Sequence, residues 1–303
     1  VSVFTNQSHD LLICGLVVLT AAAWCRRRPT AGVWAGLGAA TKATPLLFVG
    51  LFGLRRGWLA LAALRAPALA ATLAPGLLLP RAHGGAWWRA WYDANLRGLE
   101  VGGTADAVGA WNSHSVLNQS LSGALVRLFT PVKHPDGSFV VGGEGDVLLV
   151  ELPAGAVRVL TLALQLGVLA LISIGTLAAA RAARDDEGAQ RTVGLGEVAA
   201  FACGMVLLSP QSSKAHFCVW LLPVAFVVDF CTRRRRDTTA VALFVAAMVF
   251  GLLSKDMLGR EGGNVLLAWG SVAWSNLLLL LATVRCLRVA ARWPAAPATG
   301  RTA

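Results

Sequence analysis

The sequence predicts an all-α polytopic membrane protein of about eight to nine transmembrane helices, including a short helix hairpin, with one long extracytoplasmic loop. Three observations carry this reading. Of 303 residues, 56% are apolar and 14% charged, with a mean hydropathy of +0.62, whereas soluble domains carry roughly a quarter charged residues. The apolar residues gather into blocks near residues 11–24, 31–54, 59–80, 156–180, 193–210, 215–231, 238–254 and 264–284, mostly of a length suited to a hydrocarbon core of about 30 Å. Arginines cluster between the blocks, at Arg26–Arg28, Arg55–Arg56, Arg181/Arg184/Arg191, Arg233–Arg236 and Arg285/Arg288/Arg292.

That clustering explains the net charge of +11. It is the pattern of cytoplasmic loops under the positive-inside rule, and it offers no contiguous basic face for nucleic acid. The six cysteines, Cys14, Cys25, Cys203, Cys218, Cys231 and Cys286, lie in or beside apolar blocks without a C-x-x-C pair, so they read as small core residues. The chain begins at Val1 without a signal peptide, and an N-terminal part is expected to be missing. Residues 1–303 read as a single integral membrane domain.

Orientation follows from the arginines. Those at 26–28 and 55–56 flank one block, and both belong on the cytoplasmic side. A single crossing separates them; two short helices meeting near Lys42 and Pro45 keep them together, and Pro45 supplies the break. Gly32-x-x-x-Gly36 on the first arm favours close helix packing. Residues 26–30, 55–58, 181–192 and 232–238 are then cytoplasmic, and 81–155 and 209–216 lie outside. The polar motifs "TNQSHD" (5–10), "TKATP" (41–45), "SPQSSKAH" (209–216) and "SKDMLGREGG" (254–263) share that outer side with the loop.

Within 81–155, "GGAWWRAWYDANL" has the composition of an interfacial helix. Leu117, Leu121, Ala124, Leu125 and Leu128 follow helical spacing and predict a second amphipathic helix, while "SFVVGGEGDVLLVEL" reads as a small β-hairpin.

Lys42 is the most informative residue. A cation at membrane depth faces a cavity or a partner: it is either a point charge for an anionic head group or a side chain snorkelling to the interface. Asp10 is either a general base or a solvated first-turn carboxylate favoured by the helix dipole. His216, beside Lys214 in the 209–216 turn, is either a phosphate ligand or a cap satisfying the turn. Asn118 in the second "NQS" precedes a helix, so capping alone accounts for it. No H-E-x-x-H, G-x-S-x-G, P-loop or Cys/His metal spacing is present.

These motifs in this order resemble bacterial glycosyltransferases of the GT-C superfamily, family 87, which use polyprenyl-phosphate sugars and are typified by mannosyltransferases. "NQSHDLLICGLVVLTAAAWCRRRPTAGVWAGLGAATKATPLLFVGLFGLRRGW" is similar to the family's G-Q-x-N helix, Arg/Pro turn and A-x-K-x-x-P hairpin. "SHSVLNQSLSGALVRLF" is similar to its N-Q-S-L segment, and "LLSPQSSKAHFCVWLLP" to its S-P-x-S-x-x-x-H helix pair. Two departures stand out: Thr5-Asn6 precedes Gln7 where the family has Gly, and Ser213-Lys214-Ala215-His216 replaces an aromatic, His-rich run.

The resemblance implies transfer of a hexose, mannose in the first instance, from a polyprenyl-phosphate donor to a lipid or glycan acceptor on the extracytoplasmic face of the plasma (inner) membrane, within the cell envelope. Asp10 and His216 are the implied catalytic residues, Lys42 and Lys214 the donor-phosphate ligands, and Gln7, Asn118 and Gln119 the substrate contacts. Phosphate leaves already ionised, so neither a metal nor another cofactor is required. Enzymes of this superfamily carry a catalytic Asp in the first extracytoplasmic loop, upstream of Val1, so the chain is expected to be inactive in transfer while retaining donor binding. The rival class is a transporter or assembly protein for lipid-linked saccharides.

Overall fold

A computed structural model describes residues 9–79, 86–95, 114–131, 147–233, 237–253 and 255–292. The regular elements are helices: α1 (Asp10–Trp24), α2 (Thr30–Thr41), a 3-10 turn at Thr44–Leu47, α3 (Phe48–Leu54), α4 (Trp58–Leu78), α5 (Trp87–Asn95), α6 (Leu121–Phe129), α7 (Ala154–Ala182) and α8 (Glu187–Leu207). A 3-10 segment at Lys214–Trp220 then leads into α9 (Leu221–Arg233), followed by α10 (Thr238–Leu252), α11 (Lys255–Ala268) and α12 (Ser271–Ala290). Several starts are written locally. Ser120, Asp186 and Asp237 accept hydrogen bonds from Gly123 N, Ala189 N and Ala240 N, capping α6, α8 and α10.

The helix hairpin is present, and glycine packing shows its direction. A Cβ on Gly32 would lie 1.8 Å from Ala60 O, and one on Gly36 would lie 2.3 Å from Leu64 O. Positions four apart on α2 thus meet positions four apart on α4 in the same order, so the two helices run parallel. Chain from Lys42 to Leu54 must therefore return to the side on which α2 began. The break is local: Lys42 is extended (φ −153°, ψ 133°), and Pro45 in the next turn has no N–H with which to continue a helix. Each arm covers about 18 Å, short of a hydrocarbon core of about 30 Å.

The arginine-bearing loops consequently share one end of the molecule. Arg27, Arg28, Arg55, Arg56 and Gln190 line one cavity, Arg27 donates to Gln190, and Arg285 pairs with Asp237 at 2.9 Å. α8 and α12 form the centre. Trp24, Phe48, Phe52 and Phe201 pack ring against ring between α1, α3 and α8, with centroid separations of 5.0–6.4 Å. Exposed leucines line α4 and α7, the outward face expected of helices in lipid.

The span count differs from expectation. Among the described residues, four helices are long and apolar enough to cross a membrane: Trp58–Leu78, Ala154–Ala182, Lys214–Thr232 and Ser271–Ala290. The pair Thr238–Leu252 and Met257–Ala268, bent by 105°, makes up to five. α1 and the returning hairpin arm are too short, and α8 carries Glu187, Arg191 and Glu197 in its 21 residues.

The segment 81–155 is only partly described. α5 presents Trp87, Trp88 and Tyr92 half-exposed, with Trp87 Nε1 donating to Leu79 O at 2.7 Å. The second amphipathic helix is present as α6 and packs inward: Leu121, Ala124, Leu125 and Leu128 are buried, while Leu117 precedes the helix and is exposed. Most of the expected β-hairpin lies outside the described residues, and its second run forms no strand at 147–153. There Leu149 N and Leu152 N instead donate to Leu128 O and Phe129 O at the end of α6.

Candidate functional site

At the end of the molecule opposite the arginines, three distant segments converge. Asp10 opens α1, Lys42 stands at the tip of the hairpin, and His216 lies in the 3-10 segment after α8. Lys42 Nζ donates to Asp10 Oδ1 at 3.1 Å, and His216 Nε2 lies 3.8 Å from Asp10 Oδ2. These three residues, with Thr44, Ser212 and Val206, line a small pocket. Asp10 is 3% exposed, so it is no solvated first-turn carboxylate. Its charge is balanced by Lys42, and the lysine's ammonium is held by a partner within the protein instead of snorkelling away.

Local structure explains His216. Its Nδ1 accepts the Ser213 N–H at 3.1 Å, within a reciprocal capping box that opens the 3-10 segment. An accepting Nδ1 places the ring proton on Nε2, the nitrogen that faces Asp10. The cap and the site therefore use different nitrogens of one ring. Forming imidazolium would sacrifice the cap acceptor, so this geometry favours the neutral ring.

Lys214 is exposed and does not join the residues lining the pocket. Gln7 lies outside the described residues. Asn118 and Gln119 are each 1% exposed, and their side chains bond mainly to backbone. Asn118 Oδ1 accepts from Ser120 N and Ser212 N at 3.1 and 3.3 Å, and its Nδ2 donates to Pro210 O at 3.5 Å. Gln119 Nε2 donates to Val116 O and Leu267 O, while Gln119 N donates to Ser212 O at 2.6 Å. The cap of α6 is Ser120 and not Asn118. The "NQS" segment is a clasp that holds the 209–216 turn, and with it His216, against α6.

Two contributors escaped the sequence reading. Arg127 is 1% exposed and donates to Ala268 O, Leu267 O, Ser115 O and Asn118 O at 2.7–3.2 Å. It binds the clasp to the junction of α11 and α12. Its signal was a lone cation on the otherwise apolar α6. Cys218 Sγ donates to Asp10 O at 3.1 Å, and Cys14 Sγ to Cys218 O at 3.4 Å, tying α1 to the 3-10 segment; all six cysteines are free.

Chemically, the pocket offers a carboxylate able to take a proton, an ammonium able to hold an anion, and a neutral imidazole N–H beside them. Comparison with known proteins identifies a family for the chain. The model of Glycosyltransferase family 87 matches residues 1–210, a range that contains Asp10, Lys42 and the Asn118 clasp and ends at Pro210. No curated protein and no solved structure matches the chain significantly.

Proposed function

Because the chain belongs to glycosyltransferase family 87, we propose that this membrane protein transfers a hexose, mannose in the first instance, from a polyprenyl-phosphate donor to a lipid or glycan acceptor. The observation that carries the proposal is the buried Asp10 carboxylate shared between Lys42 and His216. The arginine loops share the opposite end of the molecule, which supports an extracytoplasmic site in the plasma membrane under the positive-inside rule.

The donor phosphate competes with Asp10 for Lys42. As the ammonium turns to the phosphate, Asp10 loses its counter-ion and becomes a stronger base. The acceptor hydroxyl attacks the anomeric carbon and its proton passes to Asp10. The bond from that carbon to the phosphate oxygen breaks, and the electron pair leaves on a phosphate stabilised by Lys42. His216 Nε2–H, 3.8 Å from the second carboxylate oxygen, is placed to donate to it once the site closes on the donor. Asn118 and Gln119 serve the site as scaffold, and Lys214 stands outside the pocket as a second cation for the approaching lipid.

Asp10→Asn in the full-length protein, assayed in membranes with polyprenyl-phosphate mannose, tests this reading. Turnover should fall by about two to four orders of magnitude while donor binding persists. Unchanged turnover would remove Asp10 as the base; bound but never transferred donor, in wild type as well, would point to a carrier of lipid-linked saccharides.

A further inference from the structure

The arginine end holds a second site. An open cavity of about 420 Å³ lies where α1 and α3 end and α2 and α4 begin, lined by Arg27, Arg28, Arg55, Arg56, Trp58 and Glu197 among others. Four guanidiniums face one carboxylate there, leaving three positive charges uncompensated. Pro29 and Gly57 also border it, so the N-termini of α2 and α4 add the positive ends of two helix dipoles.

The arginines differ in role. Glu197 is fully buried; its Oε2 accepts from Trp24 Nε1 at 2.9 Å, and its Oε1 lies 3.1 Å from Arg55 Nε without an aligned hydrogen bond. Arg55 is thus anchored from below, and Arg27 is held by Gln190. Arg28 and Arg56 are exposed and make no ion pair or side-chain hydrogen bond among the described residues.

Backbone conformation adds an independent observation. Arg27 and Arg56 are the two non-glycine residues with positive φ among the described residues, both at 53°. Each follows a helix in the position where glycine is normal, and the closing bonds Arg28 N to Ala23 O and Gly57 N to Phe52 O are both made. Twice, then, the chain holds an arginine in a strained left-handed turn, and both side chains line one cavity. Such strain persists where the side chain is needed.

We propose that this cavity binds the headgroup phosphate of an anionic phospholipid. Lipid is favoured over a free anion because the cavity wall continues into the outward face of α4. Trp58 is 63% and Leu59 72% exposed at its start, followed by exposed Leu69, Leu73 and Leu77. A phosphate among the arginines would leave its acyl chains along that apolar face, with Trp58 at headgroup level. The site lies at the far end from Asp10 and does not depend on the proposed transfer reaction.

The test uses the full-length protein in phosphatidylcholine nanodiscs, titrated with phosphatidylglycerol and, separately, with inorganic phosphate. Bound lipid is counted by native mass spectrometry and the melting temperature is followed. Phosphatidylglycerol should bind saturably and raise the melting temperature, and inorganic phosphate at the same concentration should not. The double variant Arg28→Gln/Arg56→Gln, altered only at exposed side chains, should bind about tenfold more weakly or worse. Arg56→Gly should melt higher than wild type in pure phosphatidylcholine, because glycine relieves the left-handed turn, yet lose part of the phosphatidylglycerol effect. Equal binding of phosphatidylcholine, an equal response to inorganic phosphate, or undiminished phosphatidylglycerol affinity in both variants would each overturn the proposal.

Discussion

Lys42 Nζ reaches Asp10 Oδ1 at 3.1 Å across 32 residues of chain, joining the tip of a hairpin to the first turn of α1 at a level buried from solvent. Replacing one partner leaves the other charge uncompensated, which for buried pairs costs about 3–5 kcal/mol. With Lys42 21% exposed at its side chain, the lower end applies. Lys42→Met and Asp10→Asn should each lower the melting temperature in membranes, and the double variant should regain most of it. Turnover should stay lost in all three. A double variant no more stable than the singles would show that the pair is not energetically coupled.

His216 uses Nδ1 for its cap and presents Nε2 to Asp10. Asparagine keeps an acceptor near Nδ1, and glutamine places its amide near Nε2. His216→Asn should therefore retain stability and lose turnover by about tenfold or more, while His216→Gln should lose stability first. The reverse pattern, measured by melting and single-turnover assay, would assign the ring to structure alone.

Gly32 sets the approach of α2 to α4. Gly32→Ala puts a methyl 1.8 Å from a backbone carbonyl with no flexible side chain to yield, so the helices must separate. A loss of about 1–3 kcal/mol or more is expected. Gly15→Ala on α1, with nothing within 4 Å of the added carbon, is the control and should be neutral or stabilising. Equal melting temperatures for the two variants would refute the parallel contact.

His114, beside Thr130 Oγ1 at 3.4 Å, has its pKa lowered chiefly by burial, opposed by a Thr130 backbone hydrogen bond and assisted by the Arg127 charge. The unfolded chain then binds the proton more readily than the folded protein. The neutral ring's contribution is complete above the ordinary histidine value near 6.5 and is lost as pH falls through that value towards the lower folded one. Wild type should lose more melting temperature than His114→Gln between about pH 7.5 and pH 5.5. Parallel loss in both would exclude this histidine as the source.

Composition and the arginine clusters were sufficient for an all-helical membrane protein, because burial in lipid demands apolar blocks and loop charges record their sidedness. The hairpin was equally legible: two arginine groups flanked one block, and Pro45 broke it. The importance of Lys42 and His216 followed from the cost of placing polar groups at membrane depth. What only the tertiary structure decided was partnership. Nothing local to Asp10, Lys42 or His216 states that they share one carboxylate, since the contacts depend on how α1, the hairpin and the turn after α8 pack together. Likewise, Asn118 and Gln119 read as ligands until the fold committed the Asn118 side chain to Pro210 and Ser212 and the Gln119 side chain to Val116 O and Leu267 O. Arg127 is a lone cation on an apolar stretch of sequence, and only the fold closes four carbonyls, from residues 115–118 and 267–268, around it. Sequence spacing reports periodicity and cost; a buried polar group's partner is settled by the three-dimensional packing that removes it from water.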